Sequence, residues 1–482
     1  MGIRVKGLGS WWMIVPFLSV FSVAAPSADL RLVEAVRKGD RAAARSLLAE
    51  PVDVNAAQPD GATALAWAAH GNDLETAELL IRAGADVNRA NDYGVTPLSL
   101  ACINGNAAMV GRLLASKANP NVALLAGETV LMTCARAGNV DAVKALLTHG
   151  ADVNAKETRG GQTALMWAVA EKHTPVVRML VERGADVHAR SKGGFTSLLL
   201  AARHGDLDSA RMLLDAGANV NDATPEDGNA LVVASGSGHE TLAIFLLEKG
   251  ADPNAVDRNG TTALHYAMLK GITPFQNMNT ALSYLSYLFR PNMLELVKAL
   301  LAQGANPNVR FVKEPRLPNS RDGMLKLTGA TPFWLAAAAG DAGVMRVLAE
   351  NGADPLLATA ENVTPLMVAA GLGRRVAGHM DRSAEEERGA LEAVQLALEL
   401  GADIHATSET GLTALHGAAY TGANSIVQFL VDQGARLDAQ DKYGQTPLSI
   451  AEKNAPSGLP AQFRSDQAYD NTVRLLRELH AR

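Results

Sequence analysis

The 482-residue chain is built from a recurring unit, and that constrains its fold more than any other feature. A short phrase returns as GATAL at Gly61, GVTPL at Gly94, GETVL at Gly127 and GQTAL at Gly161. Anchored on its threonine, the equivalent positions are Leu30, Thr63, Thr96, Thr129, Thr163, Thr196, Asn229, Thr262, Thr331, Thr364, Thr413 and Thr446. Successive anchors stand 33 or 34 residues apart, except for steps of 69 and 49. A second phrase, GADVN or a near variant, follows the anchor by 21 residues, as at Gly84, Gly150, Gly184, Gly217 and Gly250. A unit this short cannot bury its apolar face alone, so neighbours must stack. The period therefore replaces the roughly three domains that length would suggest with one array of twelve units.

Each unit explains itself physically. Threonine at the anchor can cap orphan backbone N–H groups, and Pro97, Pro332, Pro365 and Pro447 follow it where a helix misses no N–H. Residues such as Leu65-Ala66-Trp67-Ala68-Ala69 predict a short inner helix with one face of small side chains. A second, outer helix is expected over Glu75 to Ala83, ended by Gly84 in the left-handed conformation. Asp86 to Tyr93 then form a hairpin finger that leads back to Gly94. Close helix stacking accounts for an aromatic share of only 5% in a chain that is 48% hydrophobic and 20% charged. That balance excludes a disordered chain, and 2 cysteines exclude a disulfide-stapled scaffold or a thiolate zinc cluster. A formal charge of −6 argues against a general nucleic-acid binder.

The period and the two phrases resemble the ankyrin repeat. The resemblance covers nearly all of the chain and implies an all-α solenoid with hairpin fingers, in a single elongated, curved domain. It also implies a binding module without catalytic residues, cofactor or metal. Departures are local. Leu30 lacks a capping side chain, Asn229 can still cap, and Lys117 stands where a left-handed glycine is expected, at a cost of about 1 kcal/mol. His265 and His416 match the histidine of the family's Thr-Pro-Leu-His pattern, which implies a structural hydrogen bond to backbone.

The N-terminus has the order of a secretory signal peptide: Arg4 and Lys6, an apolar run from Trp11 to Ala25, then small residues. The 15-residue run is shorter than the roughly 20 needed to span a bilayer. Cleavage after Ala24 is expected, with Ala28 as runner-up and an uncleaved anchor as the alternative. Residues 1–24 would then be removed and 25–482 form the mature array, with the formal charge moving from −6 to −8. A periplasmic or secreted protein follows, and a monomer is expected.

Four insertions break the period, near residues 272–291, 309–328, 372–388 and 456–468. The first concentrates Phe275, Tyr284, Tyr287 and Phe289; the third contains Glu385-Glu386-Glu387, read as a solvated face. Cys102 and Cys134 occupy neighbouring small-residue positions on adjacent inner helices. Helix layers about 8–10 Å apart predict two buried thiols, with a bridge as the alternative that an oxidising compartment would allow.

No nucleophile elbow, phosphate-binding loop or paired-histidine zinc helix occurs. The ankyrin resemblance points instead to a concave surface made by fingers and inner helices. Carried over by position, it selects Arg136, Arg159, Lys192, Arg203, His204, Arg258 and Lys270, with Glu128, Glu171 and Glu226 among them. Tyr93, Phe195, Tyr420 and Tyr443 supply aromatic anchors. A net-basic groove of this kind suits a protein partner with an acidic segment. The leading expectation is an exported, non-enzymatic interaction scaffold. The alternative is an enzyme or small-ligand binder built from the insertions of units eight to ten, around His379 and Asp381. Non-specific binding to an anionic envelope polymer is a weaker third reading.

Overall fold

The structure, a computed structural model, describes residues 29–269, 294–313, 327–373, 384–454 and 466–481. The expected signal peptide, most of each insertion, and His379 and Asp381 lie outside these residues.

Among the described residues twelve helix pairs follow one another, one for each anchor. The inner helices are Arg31–Arg37, Ala64–His70, Pro97–Ile103, Val130–Arg136, Ala164–Ala170, Ser197–His204, Ala230–Gly236, Ala263–Leu269, Pro332–Ala339, Pro365–Ala369, Ala414–Thr421 and Pro447–Asn454. The outer helices are Arg41–Leu47, Leu74–Arg82, Ala107–Ala115, Val140–Thr148, Thr174–Glu182, Leu207–Asp215, Glu240–Glu248, Leu294–Ala302, Ala342–Glu350, Ala384–Glu399, Asn424–Asp432 and Asp466–His480. Each inner helix packs on that of the next unit, and a continuous core of alanine, leucine and valine runs between the two rows. Between pairs, the described fingers contain short antiparallel pairings, such as Ala223–Thr224 with Gly228–Asn229 (β1 and β2).

The anchors act as expected. Thr63 Oγ1 accepts from the N–H of Ala66 at 3.2 Å, and the same bond recurs from Thr96 to Thr446, with Asn229 substituting in unit seven. Leu30 provides no cap. The unit-two outer helix starts one residue earlier than expected because Asp73 caps it through the N–H of Thr76. Lys117 does adopt the left-handed conformation, with φ of 70°.

Two series of side chains lace the units together. Asn88 Oδ1 accepts from the N–H of Asn119 at 2.7 Å, while its amide donates to the carbonyl of Lys117 at 3.1 Å. Asn55, Asn121, Asn154, Asn221, Asn254 and Asn308 make the same double clamp on the next unit. His188, Leu356, His405 and Asp438 interrupt the series. At the opposite end of the helices, His173 and His239 face the carbonyls of Arg136 and Arg203 at 2.9 and 3.1 Å. Asn88→Ala should lose both clamp bonds and lower stability by about 1–2 kcal/mol, read as a lower urea midpoint at unchanged slope.

Two expectations need correction. Cys102 and Cys134 are not free thiols: they form a disulfide, with Cα atoms 4.8 Å apart. Packed helix axes are typically about 8–10 Å apart, but each facing Cα lies about 2.3 Å off its own axis toward the other. The Cα separation is therefore much shorter than the layer spacing. The glutamate run is also not wholly a solvated face. It opens a 16-residue outer helix in unit ten, and Glu387 reaches unit eleven, accepting from the N–H of Ser425 at 3.3 Å and from its hydroxyl at 2.5 Å. Ala423, at the N-cap of that next outer helix, has no capping side chain, so Glu387 supplies the carboxylate from the neighbouring unit.

His265 and His416 are fully buried and hold their anchors. Nδ1 of each accepts from the N–H of Thr262 or Thr413, at 3.3 and 3.1 Å, which leaves the proton on Nε2. The Nε2–H of His416 donates to the carbonyl of Gln445 at 3.1 Å, and the His265 ring stacks on Phe311 at 4.2 Å. Burial lowers both histidine pKa values, that of His265 to about 4. The unfolded chain takes up a proton near pH 6.5 that folded His265 refuses until about 4. Stability from this residue is therefore complete above pH 6.5 and falls as pH drops, by about 3 kcal/mol once pH reaches about 4. Urea midpoints that stay level from pH 7 to 4.5 would contradict this.

Candidate partner-binding surface

One face of the array is shared by the finger residues just before each anchor and the inner-helix residues four and seven after it. Trp67 Nε1 donates to Gln58 at 2.9 Å, and the Tyr266 hydroxyl to Asp257 at 2.8 Å. The Thr133 hydroxyl donates to Glu128 at 2.9 Å, and Arg136 lies 3.4 Å from the same carboxylate. Each contact joins a finger to the inner helix of its own unit.

This geometry places the residues selected by position. Arg136 also lies over the Trp167 ring, 4.7 Å from its centroid. Arg203 covers the Phe195 ring at 4.1 Å and stands 3.9 Å from Asp227. Arg258 pairs with Glu226 on the neighbouring finger. Two of the three acidic residues in the set, Glu128 and Glu226, thus face arginines of that set; Glu171 is exposed. Arg159 and Lys192 are exposed on successive fingers and form no ion pair with a described residue, although Lys192 donates to the carbonyl of Thr158. Tyr93 and Tyr443 project from finger tips, while Tyr420 is half-buried. Lys270 lies outside the described residues.

Burial governs the titration of this face. It raises the Asp227 carboxyl, against the opposing pull of Arg203, and lowers the Arg203 guanidinium. His204, half-buried, is lowered by burial and then by neighbouring Arg203 and Lys172. The Tyr266 hydroxyl is raised by burial and by Asp257. Asp227, Asp257 and Tyr266 escaped selection because they sit at offsets other than those carried over. Ile103 and Leu125 occupy the same offsets but are uncharged, so a basic-groove pattern does not include them.

Among the described residues no group of histidine, cysteine, aspartate and glutamate could hold a metal ion, and no helix is long and apolar enough to cross a membrane. A half-polar cavity of about 340 Å³ opens at the fingers of units eleven and twelve, lined by His405, Thr407, Arg436, Asp438 and Gln440. Two of these, His405 and Asp438, stand where the asparagine clamp is missing.

A three-copy model described as ankyrin repeats matches residues 32–123, 109–191, 198–277 and 382–461, and a single-repeat model matches 328–360. The chain belongs to the ankyrin repeat family. Among curated proteins, 145 residues are 30% identical to the transient receptor potential cation channel subfamily A member 1 homolog of Caenorhabditis elegans, covering 30% of this chain and 11% of that protein. A stretch of 64 residues is 41% identical to protein phosphatase 1 regulatory subunit 27 of Mus musculus, covering 13% of this chain and 42% of that protein. A stretch of 71 residues is 34% identical to potassium channel AKT1 of Oryza sativa, covering 15% of this chain and 8% of the channel. The chain thus spans less than half the length of each. Among solved structures, the ankyrin repeat domain of Bcl-3 is 30% identical, with a TM-score of 0.39 over 43% of this chain and 94% of that one. An ankyrin array of this kind is a protein–protein interaction scaffold.

Proposed function

We propose that this ankyrin protein is an exported, non-catalytic scaffold that captures a partner protein on its finger and inner-helix face, the concave side of ankyrin arrays. One observation carries the reading. Along that face Tyr93 and Tyr443 stand exposed on the fingers of units three and twelve, and Arg136 and Arg203 of units four and six are held in place by a carboxylate and a ring. The acidic character of the partner rests on Arg159 and Lys192 rather than on Arg136 and Arg258, whose charges are locally balanced.

Export is supported by the order of charged, apolar and small residues at the N-terminus and by the Cys102–Cys134 bridge, since such bridges persist in oxidising compartments. In its native compartment the protein should begin at Ala25, and both cysteines should resist alkylation after denaturation without reductant. A chain that retains Met1 and two alkylatable thiols would end the export reading.

The binding face is tested by photo-crosslinking residues placed singly at Tyr93 or Lys192, with Lys144 and Arg178 on exposed outer-helix surface as controls. The same discrete adduct should appear from the first two and from neither control. Adducts from all four sites alike, or from the controls only, would overturn the reading.

A further inference from the structure

Three of the seven exposed large hydrophobic side chains among the described residues fall on two successive units. Tyr93, Ile103 and Leu125 are 60%, 53% and 80% exposed, and all three belong to the finger and inner-helix face of units three and four. The two fingers are adjacent here: a Cβ added at Gly94, beside Tyr93, would lie 3.8 Å from the backbone nitrogen of Leu125. Ile103 is the seventh residue after its anchor, the place of Arg136 in unit four and Arg203 in unit six. Those arginines lie against Glu128 and Phe195, each the residue just before an anchor. The corresponding residue in unit three is Val95, and the place of Trp67 and Trp167 is taken by Leu100, both half-buried. Unit three is therefore apolar at places where unit four carries Glu128 and Arg136 and unit six carries Arg203.

Two further observations bear on what covers this patch. The Cys102–Cys134 bridge joins the inner helices of these same two units, and Cys102 directly precedes Ile103, so the patch is held on a covalently fixed junction. Preorganisation of this kind reduces the ordering cost of binding. Farther along, the next two finger tips carry Arg159 and Lys192, exposed and without an ion pair to any described residue. Fingers advance by about 10 Å per unit, which an extended chain covers in roughly three residues.

We propose that units three to six bind an extended segment of a partner protein with one bulky apolar side chain seated over Tyr93, Ile103 and Leu125. Acidic residues about three and six positions away from that side chain meet Arg159 and Lys192. The proposal rests on the reading of this face as the binding face and specifies where on it, and by what chemistry, the partner is held. The apolar residue supplies the desolvated anchor, and the carboxylates set direction and register.

The test is a display library of random 15-residue peptides panned against the full mature, disulfide-bridged protein. Enriched peptides should carry Leu, Phe, Tyr or Trp followed or preceded at that spacing by Asp or Glu. Leu125→Ser with Ile103→Ser, both at exposed sites, should weaken them at least about tenfold while leaving the urea midpoint unchanged. Arg159→Glu with Lys192→Glu should weaken the acidic peptides by a similar factor and spare neutral versions with the same anchor. Absence of binders, peptides without the apolar–acidic pattern, or affinities indifferent to the Leu125/Ile103 pair would overturn the proposal. So would polyphosphate competing as well as the peptides do, since charge alone would then suffice. Peptides lost only when Tyr420 and Tyr443 are replaced would move the site to units eleven and twelve. The crosslinking at Tyr93 and Lys192 decides separately whether the face as a whole is used.

Discussion

Replacing Cys102 and Cys134 together by alanine should lower the stability of the array by about 3–4 kcal/mol. The bridge closes a loop across a sequence separation of 32 residues, and chain entropy for a loop of that size gives an effect of this order. Both cysteines are fully buried, so the effect has two experimental signatures. In native buffer, dithiothreitol should leave the bridge intact, because no reductant reaches it until units three and four open. In urea, reduced wild type and the double variant should unfold at similar, lower concentrations than the oxidised protein. Because units contact only their neighbours, faster amide exchange should appear first in residues 97–148 and fade outward. Equal midpoints for oxidised and reduced protein would show that the bridge does not stabilise the array.

Trp334→Ala should have an effect of similar size by another route. Trp334 is among the largest fully buried side chains, and its indole N–H donates to the carbonyl of Val363 at 3.0 Å, in the finger that leads into unit ten. Alanine would leave a cavity in the core and remove one of the two donors to the Val363 carbonyl, which keeps the N–H of Thr359, at a cost of about 3–5 kcal/mol. The lesion falls between units one to eight and units ten to twelve, and in a nearest-neighbour array a weakened junction separates what it joins. Urea unfolding should therefore separate into two transitions, the C-terminal one earlier. A single transition with the wild-type midpoint would show that Trp334 does not couple the two parts.

Much of the architecture was legible because each unit's local chemistry repeats. Threonine or asparagine at the anchor, proline after it and glycine after the outer helix specify caps and ends through neighbours in the chain. Lys117 could be assigned a left-handed conformation on register alone. The double clamp by Asn55, Asn88 and their equivalents was visible only as a recurring letter, since its partners lie about 30 residues ahead and its geometry exists only once units stack.

The candidate surface was less legible. Position identified Arg136, Arg203 and Arg258 as face residues, but not that Glu128, Asp227 and Glu226 stand beside them. Asp227 and Asp257 sit at different offsets, yet meet Arg203 and Tyr266 of inner helices. Ile103 and Leu125 needed no structure to be found at face offsets, yet their exposure and adjacency did. Glu387 caps the next unit's helix from a lengthened outer helix whose start no periodic signal marks.

The sequence by itself determined the unit, its number and the order of its helices, because capping, glycine conformation and apolar spacing act within a few residues. The tertiary structure alone decided which side chains meet across units. The clearest case is the disulfide. Helix spacing argues for two separate thiols, whereas facing small residues bring the Cα atoms to 4.8 Å, since atoms on opposed helix surfaces are far closer than the axes that carry them.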